Sequence, residues 1–353
     1  MNFSKKDLVM KHKFTKKQQL NHKDTRNRFK KGIVLSLATS LLLSALILSG
    51  CGSNDADGTP TVNIGYFNNV THIQALYMKS QGMLEEAYGD TAQVEWTAFN
   101  AGPAEVEALF SESIDIGYIG PFPAINANVK SEGDIRVVSA ATQGGAVLIA
   151  RAGSGIESVD DLDGKNVAIP QIGNTQHLTL LALLDEYGLK DKSTGGTVNI
   201  CAISNADVAN CMNRGDIDAA LVPEPWGATL LAQGAALVLD YDEIMGGDYD
   251  VAVIVVRKEF YEQFPEIVET FLEQHELATE EINANIEESL TIINNEIHAS
   301  TGKLLTDEII TEAFTRIAIS SEINKASIQA FGEISEKQGL IHEAPTDTEL
   351  YVK

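Results

Sequence analysis

Strand-like and helix-like segments alternate along this chain, and no other feature limits its possible folds as strongly. Short apolar runs are each followed by a longer stretch with apolar residues three and four positions apart, the period of a helix with one buried face. The first unit has predicted strands at 62–67, 94–99, 114–119 and 135–141, and predicted helices at 71–88, 103–110 and 121–130. Such a βαβ series predicts a largely parallel sheet with right-handed crossovers.

The alternation starts again after residue 146 and predicts a second α/β unit. This unit has predicted strands at 166–170, 198–203 and 217–222, and predicted helices at 174–187 and 207–214. The apolar runs 146–150 and 251–256 bracket it and are predicted to connect it to the first unit. Beyond residue 258 the pattern is helical, with Thr306 and Ser321 as predicted N-caps, and we expect these helices to pack on the first unit.

A chain of 353 residues is long enough for two domains of ordinary size. We therefore expect an α/β fold with two α/β lobes. The first lobe is predicted over 61–148 plus 255–353, and the second over 149–254.

The N-terminal segment has the order of a bacterial lipoprotein export signal. Eleven of the 26 lysines and arginines lie between Lys5 and Lys31, and an uncharged apolar run then ends in Leu48-Ser49-Gly50-Cys51. Small residues before Cys51 allow cleavage there, and Cys51 then becomes the lipidated first residue. An uncleaved transmembrane anchor is the alternative, although the run is short of the roughly 20 residues of a span. We expect a signal peptide over 1–50, a tether over 51–60, and a chain anchored by lipid on the extracytoplasmic face of the cell membrane.

The charge of the predicted mature chain limits its partners. Removal of residues 1–50 leaves 15 basic and 48 acidic residues, a formal charge of −33. Such a surface repels nucleic acid and anionic headgroups, so we expect no nucleic-acid partner and a membrane contact made by the lipid alone. The remaining cysteines, Cys201 and Cys211, could pair in an oxidising compartment, but two buried free thiols are favoured. The sequence contains no cysteine and histidine spacing typical of structural zinc.

Four motifs occur in an order that is informative as a set. They are Ile114-Asp115-Ile116-Gly117-Tyr118-Ile119-Gly120-Pro121, Asp161-Leu162-Asp163-Gly164-Lys165 before Val167-Ala168-Ile169-Pro170, Gly173-Asn174-Thr175-Gln176-His177, and Glu224-Pro225-Trp226. Together, over 61–256, they resemble the nitrate, sulfonate and taurine group of substrate-binding proteins for ABC importers. The resemblance implies a type II periplasmic-binding-protein-like fold, with a ligand cleft at the hinge between the lobes.

Three loops after predicted strands form the main candidate ligand site. Ligands of α/β sheets bind beyond the carboxyl ends of the strands, where loops lead into helix N-termini with free N–H groups. These loops supply Asn69, Thr71, His72, Gly120, Pro121, Asn174, Thr175, Gln176 and His177. No arginine or lysine falls in them, so a bound anion would be held by helix ends, amides and hydroxyls. Asn69 and Thr71 could equally be ordinary N-caps, and the histidines polar surface residues.

Four further candidates follow from neighbouring segments. Gln143 and Gly144 precede the crossing strand and could be hinge, ligand loop or both. Glu224 and Trp226 belong to a motif that the resemblance places near the ligand, although Trp226 could be core packing. A carboxylate in the cleft would repel an anion unless it met the amine of a zwitterion such as taurine. A metal held by His72, His177 and Glu224 is a weaker alternative, and we expect no metal and no cofactor.

The residues and the resemblance together predict a solute-binding lipoprotein of an ABC importer. It would capture a small organic anion or zwitterion by hinge closure and deliver it to a permease, which acts with an ATPase. We expect a monomer. An enzyme on the same fold, of the pyrimidine-precursor or menaquinone-pathway type, is the alternative from another class, but the sequence has no nucleophile elbow and no phosphate-binding loop. A ligand-sensing subunit is the third possibility.

Overall fold

The computed structural model describes residues 59–352, so the predicted signal peptide, Cys51 and most of the predicted tether lie outside the described residues. The strands are β1 (Thr61–Phe67), β2 (Gln93–Phe99), β3 (Ile116–Ile119), β4 (Ile135–Gly144), β5 (Ala146–Ala150), β6 (Asn166–Ile169), β7 (Asn199–Ala202), β8 (Ala219–Pro223), β9 (Ala236–Leu239), β10 (Asp250–Arg257) and β11 (Ile317–Ile319). They form a six-stranded sheet, in the order β11-β4-β10-β3-β1-β2, and a five-stranded sheet, in the order β7-β6-β8-β5-β9. We call the first sheet with its helices lobe 1, and the second with its helices lobe 2.

Helices cover both sheets, and each strand-to-helix alternation of the sequence is present. The helices are α1 (Ile73–Gln81), α2 (Met83–Tyr88), α3 (Gly102–Phe110), α4 (Pro121–Lys130), α5 (Thr175–Glu186), α6 (Asn205–Arg214), α7 (Trp226–Ala232), α8 (Lys258–Gln263), α9 (Pro265–Ala284), α10 (Ile286–Thr301), α11 (Asp307–Phe314), α12 (Lys325–Lys337) and α13 (Asp347–Leu350). The helix predicted over 71–88 is divided at Gly82, whose φ of 64° is the left-handed conformation that ends α1.

Both sheets are mixed, although most strands of each run in one direction, as the predicted βαβ series requires. Strand β1 runs parallel to β2 and β3, as the βαβ series requires, but β10 runs antiparallel between β3 and β4. In lobe 2, β6 runs parallel to β7 and β8, while β5 runs antiparallel to β8 and β9. The antiparallel strands β5 and β10 directly follow the two crossings between the sheets, where no βαβ unit fixes the direction of the chain.

The two apolar runs predicted as connections lie inside the sheets. Strand β5 is buried along its whole length in the second sheet, and β10 is an interior strand of the first. The chain instead crosses at Gly144 and Gly145, with φ of 71° and 75°, and returns between β9 and β10. A Cβ on Gly144 would lie 2.7 Å from the carbonyl oxygen of Arg316, so the crossing requires glycine there. The exact lobe boundaries given above stay a proposal.

The helices after residue 258 contact both lobes. Helices α9 and α10 pack against α1 of lobe 1, as expected, whereas α11 packs against α7 of lobe 2. Thr306 caps α11 by accepting a hydrogen bond from the Ile309 N–H, which confirms that prediction. Ser321 is not a cap, because its carbonyl accepts from the Ala140 N–H and continues the pairing with β4; Asn324 caps α12 instead. None of the described helices is both long and apolar enough to cross a membrane.

A buried polar chain ties α9 to the first sheet. The Nε2 of His275 lies 2.9 Å from the Ala140 carbonyl oxygen, which can only accept, so this nitrogen carries the proton. Its Nδ1 therefore accepts from the Tyr118 hydroxyl, 2.8 Å away. Both side chains are fully enclosed, and burial lowers the pKa of His275 to about 4, which keeps the ring neutral. The described cysteines, Cys201 and Cys211, are free, as predicted, and each is half-buried.

We predict that His275→Leu lowers the free energy of unfolding by about 2–4 kcal/mol, because it leaves the Tyr118 hydroxyl and the Ala140 carbonyl buried without partners. Since His275 has a pKa of about 4 in the folded chain and an ordinary value of 6.5, the unfolded chain binds its proton more tightly, and stability rises with pH over that range. In the variant, the free energy of unfolding measured with urea should therefore rise less steeply with pH between pH 4 and pH 6.5. His298→Leu, at an exposed position, is the control, and an equal effect there would contradict the assignment.

Candidate functional site

A small cavity lies between the two sheets, where the loops after their strands meet. It is lined by Phe67, Asn69, Thr71, His72, Asn100, Ala101, Gly102, Gly120, Pro123, Pro170, Asn174, Thr175, Gln176, Asn205, Pro223 and Val251. Its volume is about 30 Å³, well below the roughly 300–1,000 Å³ of pockets for drug-sized ligands. This cavity, which we call the cleft, therefore fits a chemical group of a few atoms.

In lobe 1 the side chains of an asparagine and a histidine hold the loop after β1 in shape through hydrogen bonds within the loop. Asn69 Oδ1 accepts hydrogen bonds from the N–H and the hydroxyl of Thr71, at 3.0 and 2.7 Å. His72 Nδ1 accepts from the Phe67 N–H at 3.2 Å, so the neutral ring carries its proton on Nε2. Burial lowers the pKa of His72 to about 3. His72 is thus an uncharged wall of the cleft that also fixes the shape of its loop.

Lobe 2 uses the same two residue types in the loop before α5. Asn174 Oδ1 accepts from the His177 N–H at 2.9 Å and caps the helix. His177 Nδ1 in turn accepts from the Gly173 N–H at 3.2 Å. Burial lowers the pKa of His177, and Asp191 opposes that shift. Both lobes therefore present a helix start whose loop is held by an asparagine cap and a histidine acceptor.

Helices of both lobes begin at the cleft. Helix α3 begins at Gly102, α4 follows directly on Gly120, α5 begins at Thr175 and α6 at Asn205. N–H groups in the first turn of a helix have no acceptor within the helix, and the helix dipole places a partial positive charge there. Of the described residues that line the cleft, none has a charged side chain. The cleft is therefore electropositive through backbone groups alone, which suits an anion.

Two side-chain oxygens at the cleft have no hydrogen-bond partner among the described residues. They are the hydroxyl of Thr175, which is 4% exposed, and Oδ1 of Asn205. An unpaired buried polar atom costs about 1–3 kcal/mol, so an anion that accepted a hydrogen bond from the Thr175 hydroxyl would relieve a cost the fold already carries. Gly120 makes room for the hydroxyl, because a Cβ at residue 120 would collide with Thr175 Oγ1.

The structure brings most of the main candidates together and leaves others outside the cleft. The predicted residues that line the cleft are Asn69, Thr71, His72, Gly120, Asn174, Thr175 and Gln176. Pro121 is buried as the first residue of α4 and does not line it. Gln143 donates to Asp250 Oδ1 at 3.2 Å, and Gly144 forms the crossing between the sheets, so both have structural contacts at the hinge.

Glu224 lies away from the cleft because Arg316 binds it. Arg316 Nη1 lies 3.1 Å from Glu224 Oε1, while its Nε and Nη2 reach Asp240 at 2.8 Å and Glu312 at 2.7 Å. The side chain of Glu224 is fully buried and that of Arg316 is 6% exposed. Burial raises the pKa of Glu224 to about 6, against the opposing effects of the Ala228 N–H and of Arg316. Glu224 thus joins the lobes through Arg316 and is not a free carboxylate at the cleft.

His177 and Trp226 face two other depressions. His177 lines a surface groove between α5 and the end of α12, and Trp226 lines a second cavity beside the cleft. The three residues of the metal alternative, His72, His177 and Glu224, therefore do not share a site. Among residues 59–352, no group of three or more His, Cys, Asp or Glu side chains is arranged to hold a metal ion.

Three polar or flexible positions of the cleft were missed by the sequence analysis. Asn100 and Gly102 follow β2, and Asn205 follows β7. The other loops of the cleft were expected because each joins the end of a strand to the start of a helix. The loops after β2 and β7 have the same form. Asn205 was overlooked because its helix was predicted to begin two residues later, at 207.

Comparison with known proteins identifies the family of the chain. Residues 55–294, more than half of the chain, match the NMT1-like family. The chain belongs to the NMT1-like family. It is 31% identical over 182 residues to the taurine-binding periplasmic protein of Escherichia coli (strain K12). That match covers 51% of this chain and 54% of the relative, so the chain spans about half the length of this relative.

Solved structures show that this NMT1-like protein has the predicted fold. The periplasmic aliphatic sulphonate binding protein SsuA from Escherichia coli superposes with a TM-score of 0.67 at 22% identity, over 83% of this chain and 92% of that one. The periplasmic nitrate-binding protein NrtA from Synechocystis PCC 6803 superposes with a TM-score of 0.65 at 16% identity, over 84% and 85%. The expected two-lobed periplasmic-binding-protein fold is confirmed.

We predict that Arg316→Met lowers the free energy of unfolding by about 3–5 kcal/mol, because it leaves Glu224 buried without its counter-ion. The loss should be smaller at pH 5 than at pH 8, since Glu224 is protonated below its pKa of about 6. Urea unfolding at the two pH values measures both effects.

Arg257→Met is the matched control, because Arg257 pairs with Asp115 at 2.6 Å within lobe 1. Both variants should lose stability. The radius of gyration from small-angle X-ray scattering should increase for Arg316→Met alone, since it removes a contact between lobes. Equal radii for the two variants would show that Arg316 does not hold the lobes together.

Proposed function

We propose that this protein is the extracytoplasmic solute-binding component of an ABC importer, and that it captures a small organic anion of the sulfonate type. The observation that carries the proposal is the cleft itself, where helix N-termini of both lobes surround the unpaired Thr175 hydroxyl without any charged lining residue. The names of its relatives, a taurine-binding and an aliphatic sulphonate binding protein, support the same class of solute.

Capture would use the two lobes in sequence. A solute would first meet the helix starts of one lobe in an open form, and closure at the Gly144–Gly145 crossing would add the helix starts of the other. The permease would then recognise the closed form. Because the cleft binds through dipoles and not through ion pairs, no buried charge is left without a partner when the solute leaves.

The cleft favours binding over catalysis. Its one titratable lining side chain among the described residues is His72, which is neutral, and its Nδ1 is occupied by the Phe67 N–H. No pair of groups there could act as acid and base with matched pKa values. The relatives named above are likewise binding proteins.

We further propose that Cys51 carries the lipid that holds the protein at the membrane, and that the folded chain is a monomer. The proposal rests on the basic start, the apolar run and Leu48-Ser49-Gly50-Cys51. Cell fractionation tests it, since Cys51→Ser should move the protein out of the membrane fraction. A variant that stayed fully membrane-bound would count against lipidation at this residue.

We predict that the melting temperature of the full-length protein rises with a sulfonate such as ethanesulfonate or taurine, because a ligand that binds the folded state stabilises it. Thr175→Val should lower the affinity about 10- to 100-fold, the effect of losing a hydrogen bond to a charged group. The same variant without ligand should be as stable as the parent or more so, since an unpaired buried hydroxyl is replaced by a methyl group.

Thr179→Val is the control, one helical turn along α5 at a residue that is also buried but does not line the cleft. It should leave the ligand-induced shift unchanged. Calorimetric titration gives the affinities. If no anion in a screen of sulfonates, nitrate and carboxylates shifts the melting temperature, the proposed function is wrong.

A further inference from the structure

A second cavity of about 190 Å³ lies beside the cleft, between α6 and α7 of lobe 2 and the end of α10. We call it the annex. Its main walls are Pro225, Trp226, Leu230, Ile297 and Leu305. Leu230 and Ile297 are 4% and 2% exposed, so these walls belong to the packed interior.

The two threonines that line the annex use their hydroxyls in hydrogen bonds to backbone carbonyls. The hydroxyl of Thr229 donates to the Pro225 carbonyl at 2.8 Å, and that of Thr301 to the Ile297 carbonyl at 2.7 Å. Both threonines can then offer methyl groups to the cavity. Of the described lining residues, Lys303 alone is charged; it is exposed, with Nζ 5.9 Å from the centre of the Trp226 ring. The interior of the annex is therefore apolar.

The wall formed by Leu305 is held in place by the helix beneath it. The Asn294 side chain donates to the Leu305 carbonyl at 2.9 Å and accepts from the Leu305 N–H at 3.0 Å. Two hydrogen bonds from one buried asparagine fix the segment after α10 in position. The annex is thus preformed, and filling it would require little ordering of the chain.

The annex adjoins the cleft at Asn205, which lines both cavities. Its Oδ1 is buried and has no partner in the described chain. An apolar cavity that shares a lining residue with an anion-binding cleft suits one molecule that occupies both. The cleft, with about 30 Å³, has room for a headgroup, and the annex has room for an apolar continuation.

We propose that the annex is a tail subsite, which takes the hydrocarbon part of an amphipathic organic anion whose charged head lies in the cleft. The proposal rests on the proposed function, which supplies the head site. The tail would contact the Trp226 ring, Ile297 and Leu305, and would remove apolar surface from water on both partners. The solute class is then an alkanesulfonate or a similar anion with a tail, in preference to nitrate or methanesulfonate.

Calorimetric titration of the full-length protein with linear alkanesulfonates, from ethane- to octanesulfonate, tests the annex. The affinity should rise about fourfold for each methylene group until the annex is filled. Ala206→Phe, at an exposed lining residue, should block the annex and reduce the ratio of octanesulfonate to ethanesulfonate affinity at least tenfold. Leu304→Ala is the control, because Leu304 is 59% exposed and adjoins Leu305 without lining the annex; it should leave the ratio unchanged.

Fluorescence gives an independent readout of tail position. The chain has two tryptophans, so Trp96→Phe leaves Trp226 as the single emitter. Octanesulfonate should shift its emission to shorter wavelength, and ethanesulfonate should not. Binding of ethanesulfonate with an affinity that stays flat along the series would overturn the annex and leave the proposed function standing. Failure of every sulfonate to bind would overturn the proposed function, and the tail subsite with it.

Discussion

The ion cluster of Arg316 holds the two lobes in the arrangement that creates the cleft. Arg316 lies just before β11 of the first sheet, whereas Glu224 and Asp240 follow strands of the second. A buried ion pair is stable only when each charge is fully paired, so the lobes must meet at one distance and angle here. The Arg316 carbonyl and the Tyr241 ring also pack against Gly144. Both crossings between the sheets therefore pass next to this one arginine.

The cleft has a positive local potential although the chain as a whole is strongly negative. The chain carries a formal charge of −24, yet helix N-termini give the cleft a local positive potential that acts over a single turn. The histidines that might have added charge are instead buried acceptors in their loops, and burial lowers the pKa of His72 to about 3. Binding of an anion, as proposed, would then depend on backbone geometry, which the asparagine caps maintain, and would change little with pH near neutrality.

The sequence was a good guide to periodic structure and a weaker guide to what each side chain does. Helix 121–130 was predicted with its observed bounds, because Pro121 sets the start and the apolar spacing sets the buried face. The role of Glu224 could not be predicted, since its partner Arg316 lies 92 residues away and only the fold brings them together. The direction of β10 was missed for the same reason. Asn205, by contrast, lies where the loop after a strand meets the start of a helix and could have been predicted. Its helix was predicted to begin two residues later, at 207, which left Asn205 out of the candidate site.

Contacts to the charged group of a solute cannot by themselves make such a site selective. First-turn N–H groups recognise negative charge and size, and they would hold a nitrate, a sulfonate or a small carboxylate in much the same way. Additional contacts must distinguish these anions, and the walls beyond Asn205 differ from the cleft in being apolar and preformed. An apolar contact adds affinity in proportion to the buried tail and contributes no charge. Among the described lining residues the two cavities share only Asn205, so the proposed head and tail sites could change independently at their other walls.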